Sequence, residues 1–153
     1  GHAENGTPLE PGPEADNPPM IGPAGAVHAS LADWAKYIRL HLAGARRDVQ
    51  VGELTLTRET FARLHSPYPG GNPSYGYGWG IEKRSWAGGD GLALTHNGSN
   101  TLWYCVTWLG PGNGFAALVT TNIATAKAKG ATDEVARLLI QEHERRVRAG
   151  AGR

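Results

Sequence analysis

The residues best suited to chemistry are His96-Asn97-Gly98-Ser99. Gly98 carries no Cβ, so a ligand can come close to the backbone there. The N–H that follows, on Ser99, can donate to a developing oxyanion. His96 or the Asn97 amide can hydrogen-bond a substrate carboxylate or carbonyl. A group of this kind holds a carbonyl substrate rather than attacking it. Asn-Gly is also a hairpin signal, so the same four residues fit a strand-ending turn.

These residues need strands to position them. Leu92 to Thr95 reads as an apolar strand that runs into the polar tetrad. Thr101 to Leu109 and Phe115 to Asn122 read as a hairpin, with Gly110-Pro-Gly-Asn-Gly as its turn. Leu102, Tyr104, Val106 and Trp108 point one way along it, and Trp103, Cys105, Thr107 and Leu109 the other. Both faces carry bulk, which calls for helices on both sides of the sheet. Upstream, Tyr75-Gly-Tyr-Gly-Trp-Gly-Ile alternates at period two, and the spacing predicts one strand with Tyr75, Tyr77, Trp79 and Ile81 on a single face. Trp86-Ala-Gly-Gly-Asp-Gly is then a hairpin or loop.

Ser30 is a helix cap with Asp33 three residues on, an approximate capping box. Leu31, Trp34, Ile38 and Leu42 make one apolar stripe, and Gly44 is the stop. A shorter helix covers Thr57 to Leu64, with Phe61 and Leu64 inward. A last helix runs from about Thr132, as cap, to Arg148. Asp133 and Glu134 sit in its first turn, and Val135, Leu138 and Leu139 form its stripe. Residues 1–25 hold six of the ten prolines and read as an irregular lead-in. The expected order is helix, helix, four strands, helix: an α+β chain with an antiparallel sheet flanked by helices.

Composition narrows the function. Fifteen Lys+Arg against fourteen Asp+Glu leave a net charge of +1, so no global field favours nucleic acid or a membrane surface. No apolar run is long enough for a membrane helix. Cys105 is the lone cysteine, which excludes an internal disulfide, and its apolar surroundings make it a small buried hydrophobe. His2, His41, His65 and His143 show no ligand spacing, so no metal and no cofactor is expected. His28 reads as a surface group before a cap. Tyr68 and Trp86 are loop aromatics that either line a cleft or cover a core edge. The basic residues after His143 complement a helix C-terminus.

From Pro23 onward the chain resembles the C-terminal portion of the serine β-lactamase and penicillin-binding-protein-like hydrolases, most of all the class C branch with its esterases and D-amino-acid peptidases. Pro23-Ala-Gly-Ala-Val-His-Ala-Ser-Leu-Ala-Asp-Trp-Ala-Lys-Tyr resembles the family's "PAGGL-x-S-x-x-D-L-A-x-F" stretch. Tyr75-Gly-Tyr-Gly-Trp-Gly resembles its "YGLGW" strand. His96-Asn-Gly-Ser resembles the third catalytic motif, Lys-Thr-Gly or His-x-Gly. Val119-Thr-Thr-Asn122 resembles the closing "V-V-x-x-x-N". The resemblance implies that His96 takes the Lys-or-His place, Asn97 the Thr place and Gly98 the Gly place, with Ser99 supplying the oxyanion N–H. It also implies a β-lactamase/transpeptidase-like fold and an amide or ester substrate, either a small molecule or a peptide. His in place of Lys leans towards an esterase or peptidase, and export to the periplasm is common among relatives.

The chain departs from the family in one respect. No serine has lysine three residues later, and no tyrosine is followed by x-Asn, so the S-x-x-K nucleophile motif and the Y-x-N motif are both missing. In the family both lie upstream. The only Met is Met20, and a C-terminal part of a longer hydrolase is the simplest expectation: residues 1–25 the lead-in, residues 26–153 the back of the catalytic domain, with the nucleophile on the N-terminal half. The alternatives are a non-catalytic binding module on the same scaffold, or a split subunit completed by a separate chain.

Overall fold

The computed structural model describes residues 1–151. Residues 1–25 contain a His2–Pro8 bridge, two single 3-10 turns at Pro13–Ala15 and Pro19–Ile21, and a short helix α1 (Gly22–Gly25). Helix α2 (Leu31–Gly44) is capped as expected: the Asp33 N–H donates to Ser30 Oγ at 3.1 Å. The Asp33 carboxylate returns to the Ser30 hydroxyl rather than to its backbone. Gly44 ends the helix for a packing reason. A Cβ there would lie 2.1 Å from the Phe61 ring, so only glycine lets α3 (Arg58–Leu64) approach. Thr57 caps α3 through the Thr60 N–H.

Between these helices lies a hairpin that the sequence reading passed over, β1 (Val49–Val51) and β2 (Leu54–Leu56), turning at Gly52 with φ +58. The main sheet has five antiparallel strands in chain order: β3 (Tyr75–Gly76), β4 (Trp79–Lys83), β5 (Leu92–Ser99), β6 (Tyr104–Gly110) and β7 (Phe115–Thr121). The Tyr75–Ile81 run is therefore two strands and not one. It folds at Tyr77-Gly78, where φ is +52 and +89, a two-residue turn with both residues left-handed. β6 also starts later than the alternation suggests, because residues 100–103 make the turn from β5.

The last helix, α4, is Ala126–Ala151. Its first turn is held by Thr125, seven residues before the expected cap, whose Oγ1 accepts the Ala128 N–H at 3.1 Å. Thr132 is inside the helix; it is buried, and its hydroxyl donates to the Ala128 carbonyl at 2.8 Å. The expected apolar stripe also faces the wrong way. Val135, Leu138 and Leu139 are 43%, 49% and 42% exposed, while Thr132 and Ala136 are buried against the sheet. The small residues form the contact row because they let the helix axis sit close to β6 and β7. Gly152 and Arg153, the end of the basic tail, lie outside the described residues.

Helices do cover both faces. α2 lies on the side of Trp79, Leu94 and Leu109, which pack with Ile38; α4 lies on the side of Tyr104 and Val106, which pack with Ala136. Leu94 and Leu109 are fully buried, and each such side chain contributes about 1.5–3 kcal/mol by leaving water.

The α2–α3 seam holds a polar pair that sequence spacing did not reveal. His41 Nδ1 and His65 Nε2 are 2.8 Å apart and both rings are buried, among Phe61, Trp79 and Tyr37. No third His, Cys, Asp or Glu joins them among the described residues. One ring donates and the other accepts, so the pair needs no charge. Burial pushes both imidazoles down from 6.5 to about 4, and in His65 the neighbouring His41 adds to the effect. A depressed histidine favours the fold while it is neutral. That stability is complete above about 6.5 and is lost as pH falls towards 4, because the unfolded chain binds protons first. The urea midpoint should fall across this window, and His65→Gln, which keeps a hydrogen bond and does not titrate, should flatten the fall. Equal slopes for the two proteins would show that the pair is not held neutral.

Candidate active-site edge

The tetrad is not a turn. His96, Asn97, Gly98 and Ser99 are the second half of β5, in register with Thr107, Val106, Cys105 and Tyr104 of β6. The β4 ladder, by contrast, stops at Gly80↔Thr95. From His96 onward β5 is bonded on one edge only.

The backbone directions follow from two hydrogen bonds. The Ile81 N–H donates to the Ser74 carbonyl, towards β3, and the Arg84 N–H donates to Gly91, towards β5. Directions alternate along an antiparallel strand. Gly80 and Glu82 therefore face β5, and Ala93 and Thr95 face β4. Leu94, His96 and Gly98 bond to β6. Asn97 and Ser99 are left projecting their N–H and C=O groups off the open edge, where no backbone bond meets them among the described residues.

Side chains alternate independently of the backbone groups. Leu92 and Leu94 pack in the α2 core, so His96 and Gly98 share that face. Thr95 and Asn97 line the opposite face. The structure thus separates two side chains that the motif places next to each other. His96 is exposed, and its ring centroid lies 6.5 Å from that of Tyr75. Asn97 looks into a cleft of about 600 Å³ beneath α4, with Glu82, Arg84, Trp86, Trp108 and Arg137 around it. Its two cations are already partnered. Arg84 pairs with Glu82 and lies 5.7 Å over the Trp108 ring, and Arg137 pairs with Glu134. Trp86 is thus a cleft residue, edge-on to Trp108 at 6.4 Å.

The end of the edge is fastened. Ser99 Oγ accepts the Thr101 N–H at 3.1 Å, and Asn100 Oδ1 accepts from Leu102 and Trp103 at 3.2 and 2.9 Å. Thr101 sits at φ +73, an uncommon place for a β-branched residue. The lead-in reaches the same corner: a Cβ on Gly1 would lie 2.7 Å from the Trp103 indole nitrogen, and His2 Nδ1 lies 3.1 Å from the Asn122 carbonyl.

Cys105, opposite Gly98, is half-buried, and burial raises its thiol above the usual range. It is a protonated, unreactive neighbour rather than a nucleophile. His143 stacks on Phe115 at 4.1 Å, and His28 sits at the surface beside Asp16. No helix among the described residues is long and apolar enough to cross a membrane.

The chain is thus an antiparallel sheet with helices on both faces and a polar tetrad on a half-open strand. The Beta-lactamase family model matches residues 1–142, so the chain belongs to that family. The match takes in the proline-rich residues as well as the sheet. No curated protein and no solved structure matches the chain.

Gly98 can be tested separately from the fold. A Cβ there meets only the Cys105 sulfur, at an ordinary 3.7 Å. Gly98→Ala should keep stability within about 1 kcal/mol, as an uncrowded site does. A large drop in thermal midpoint would make this glycine a packing residue instead of a point of ligand approach.

Proposed function

We propose that this chain is the C-terminal part of a serine hydrolase that cleaves an amide or ester through an acyl-serine intermediate, with the nucleophile on a polypeptide segment other than residues 1–153. The observation that carries this reading is the unpaired edge of β5 at Asn97 and Ser99. A substrate carbonyl lying along it meets a pre-aimed N–H donor, as oxyanion stabilisation requires. Ser99 N–H is the oxyanion donor, and His96 bonds the substrate's carboxylate or carbonyl. Asn97 contributes its backbone C=O to the substrate, and Gly98 clears the approach.

In this reaction the serine oxygen adds to the carbonyl carbon and the carbonyl oxygen becomes an oxyanion. Collapse breaks the bond to the leaving group, which departs with the serine's proton. Water then cleaves the acyl-serine. The lysine and tyrosine that move protons in the family's motifs have no counterpart here, so the isolated chain should be inactive. The residues divide as a lead-in, 1–25, and a catalytic-domain segment, 26–153.

The absence of S-x-x-K and Y-x-N also favours a second reading, a binding module or split subunit that holds carbonyl ligands without cleaving them. A serine-directed phosphonate probe separates the two. The chain joined to or mixed with its complement should gain one probe mass, and a binding module should gain none. In the active assembly, His96→Ala should lower turnover on the order of 10²-fold, as loss of one transition-state hydrogen bond does, with the thermal midpoint unchanged. Unchanged kinetics would remove His96 from the site.

A further inference from the structure

A second cavity, of about 400 Å³, opens at the start of β5, away from the Asn97–Ser99 edge. Arg46, just past the end of α2, and Arg58, the first residue of α3, both line it. His65, Asp90, Leu92 and the Pro111-Gly112 turn complete its wall. Leu92 and Ser99 stand at opposite ends of one strand, roughly 23 Å apart at about 3.3 Å per residue. The cavity is therefore separate from the open edge.

Its charges are unbalanced. No ion pair among the described residues includes Arg46 or Arg58. Arg46 is fixed all the same. Its Nε–H donates to the Pro111 carbonyl at 3.3 Å, and its guanidinium fills the space beside Gly114, where a Cβ would lie 2.5 Å from Nη2. The Arg58 backbone is held by Asp48, whose Oδ1 accepts its N–H at 2.8 Å. Asp90 is the one acid on the wall, and it is already engaged. Lys83 Nζ donates to its carboxylate at 2.6 Å and the Leu92 N–H at 3.1 Å, which holds the carboxyl below its usual range. Two guanidinium charges are left on one cavity wall. His65 adds a neutral group. It is buried, its Nε2 is shared with His41 Nδ1, and no hydrogen bond meets its Nδ1 among the described residues. With His41 donating, the His65 proton lies on Nδ1 and is free to be given.

We propose that this cavity binds a small organic phosphate, with Arg46, Arg58 and His65 on the phosphate oxygens and the organic body against Ala62 and Leu92. The planar guanidinium fork matches phosphate and carboxylate alike. Charge separates the two. A phosphate monoester carries about −1.5 to −2 at pH 7 and balances both arginines, whereas one carboxylate balances one. A volume of about 400 Å³ falls within the range of small-ligand sites, about 300–1,000 Å³, and leaves room for more than a bare oxyanion. The site stands whether or not the β5 edge holds a carbonyl.

The test is an NMR titration of the chain with phenyl phosphate, and with benzoate as the single-charge control. Salt at about 0.15 M screens attraction beyond about 8 Å. Phenyl phosphate should shift the amides of Ala62, His65, Leu92 and Gly112, and should bind about tenfold more tightly than benzoate. Arg58→Gln keeps the backbone bond to Asp48 and should weaken phenyl phosphate about tenfold, as loss of a charged hydrogen-bond partner does. Arg47→Gln removes the same charge from a side chain that does not line the cavity, and should change the affinity less than about twofold. Equal losses for the two variants overturn the site, because binding then follows net charge. Equal affinity for benzoate overturns the choice of phosphate. Shifts confined to residues outside the cavity, or none at all, overturn the inference.

Discussion

The rest of the site depends on where one β-ladder ends. β4 begins at Trp79 because Tyr77 and Gly78 are spent on a two-residue turn, and its pairing with β5 runs only from Lys83↔Leu92 to Gly80↔Thr95. β5 continues for four residues beyond that point, held by β6 alone. A buried strand with an unbonded edge would lose several hydrogen bonds to no partner. This edge is exposed at Asn97 and Ser99, so water can meet its free groups, and the proposed extended substrate would take the water's place.

The surrounding structure keeps that edge straight and accessible. Leu94 and Leu109 anchor β5 and β6 in the α2 core, a few residues before the edge opens. Side-chain acceptors on Ser99 and Asn100 lock the far turn. The short contact row of α4, built on Thr132 and Ala136, brings the helix onto β6 and β7 and leaves the β4–β5 side as a cleft. Membership of the Beta-lactamase family and the lack of a nucleophile motif are both consistent with the proposal that the chain carries one wall of a carbonyl-processing site.

The two faces of β5 divide the tetrad's work. A linear motif treats His96 and Asn97 as neighbours, but a period of two sends their side chains to opposite sides of the sheet. Only the backbone of Asn97 and Ser99 lies at the edge itself. The chemistry assigned to this stretch is therefore mainly backbone chemistry, with His96 as the side chain nearest to it and the tyrosine-bearing hairpin as its neighbour.

Much of this was legible in the chain. Ser30 and Thr57 announced their helices because a capping hydroxyl is a local interaction, readable from two residues. The β6–β7 hairpin and the helices on both faces followed from bulk on alternate positions. The tetrad was visible as a candidate because glycine and polar residues rarely follow an apolar strand without reason. The sequence alone could not decide matters of distance between remote segments. Alternation at Tyr75–Ile81 suited one strand, and tertiary pairing made it two. The large residues of α4 looked like its buried stripe, yet close packing on the sheet selected the small ones. The His41–His65 pair, 24 residues apart, exists only because Gly44 lets Phe61 and α3 approach. Local signals mark elements, but which edge stays open and which groups meet are set by contacts that form only when the elements pack.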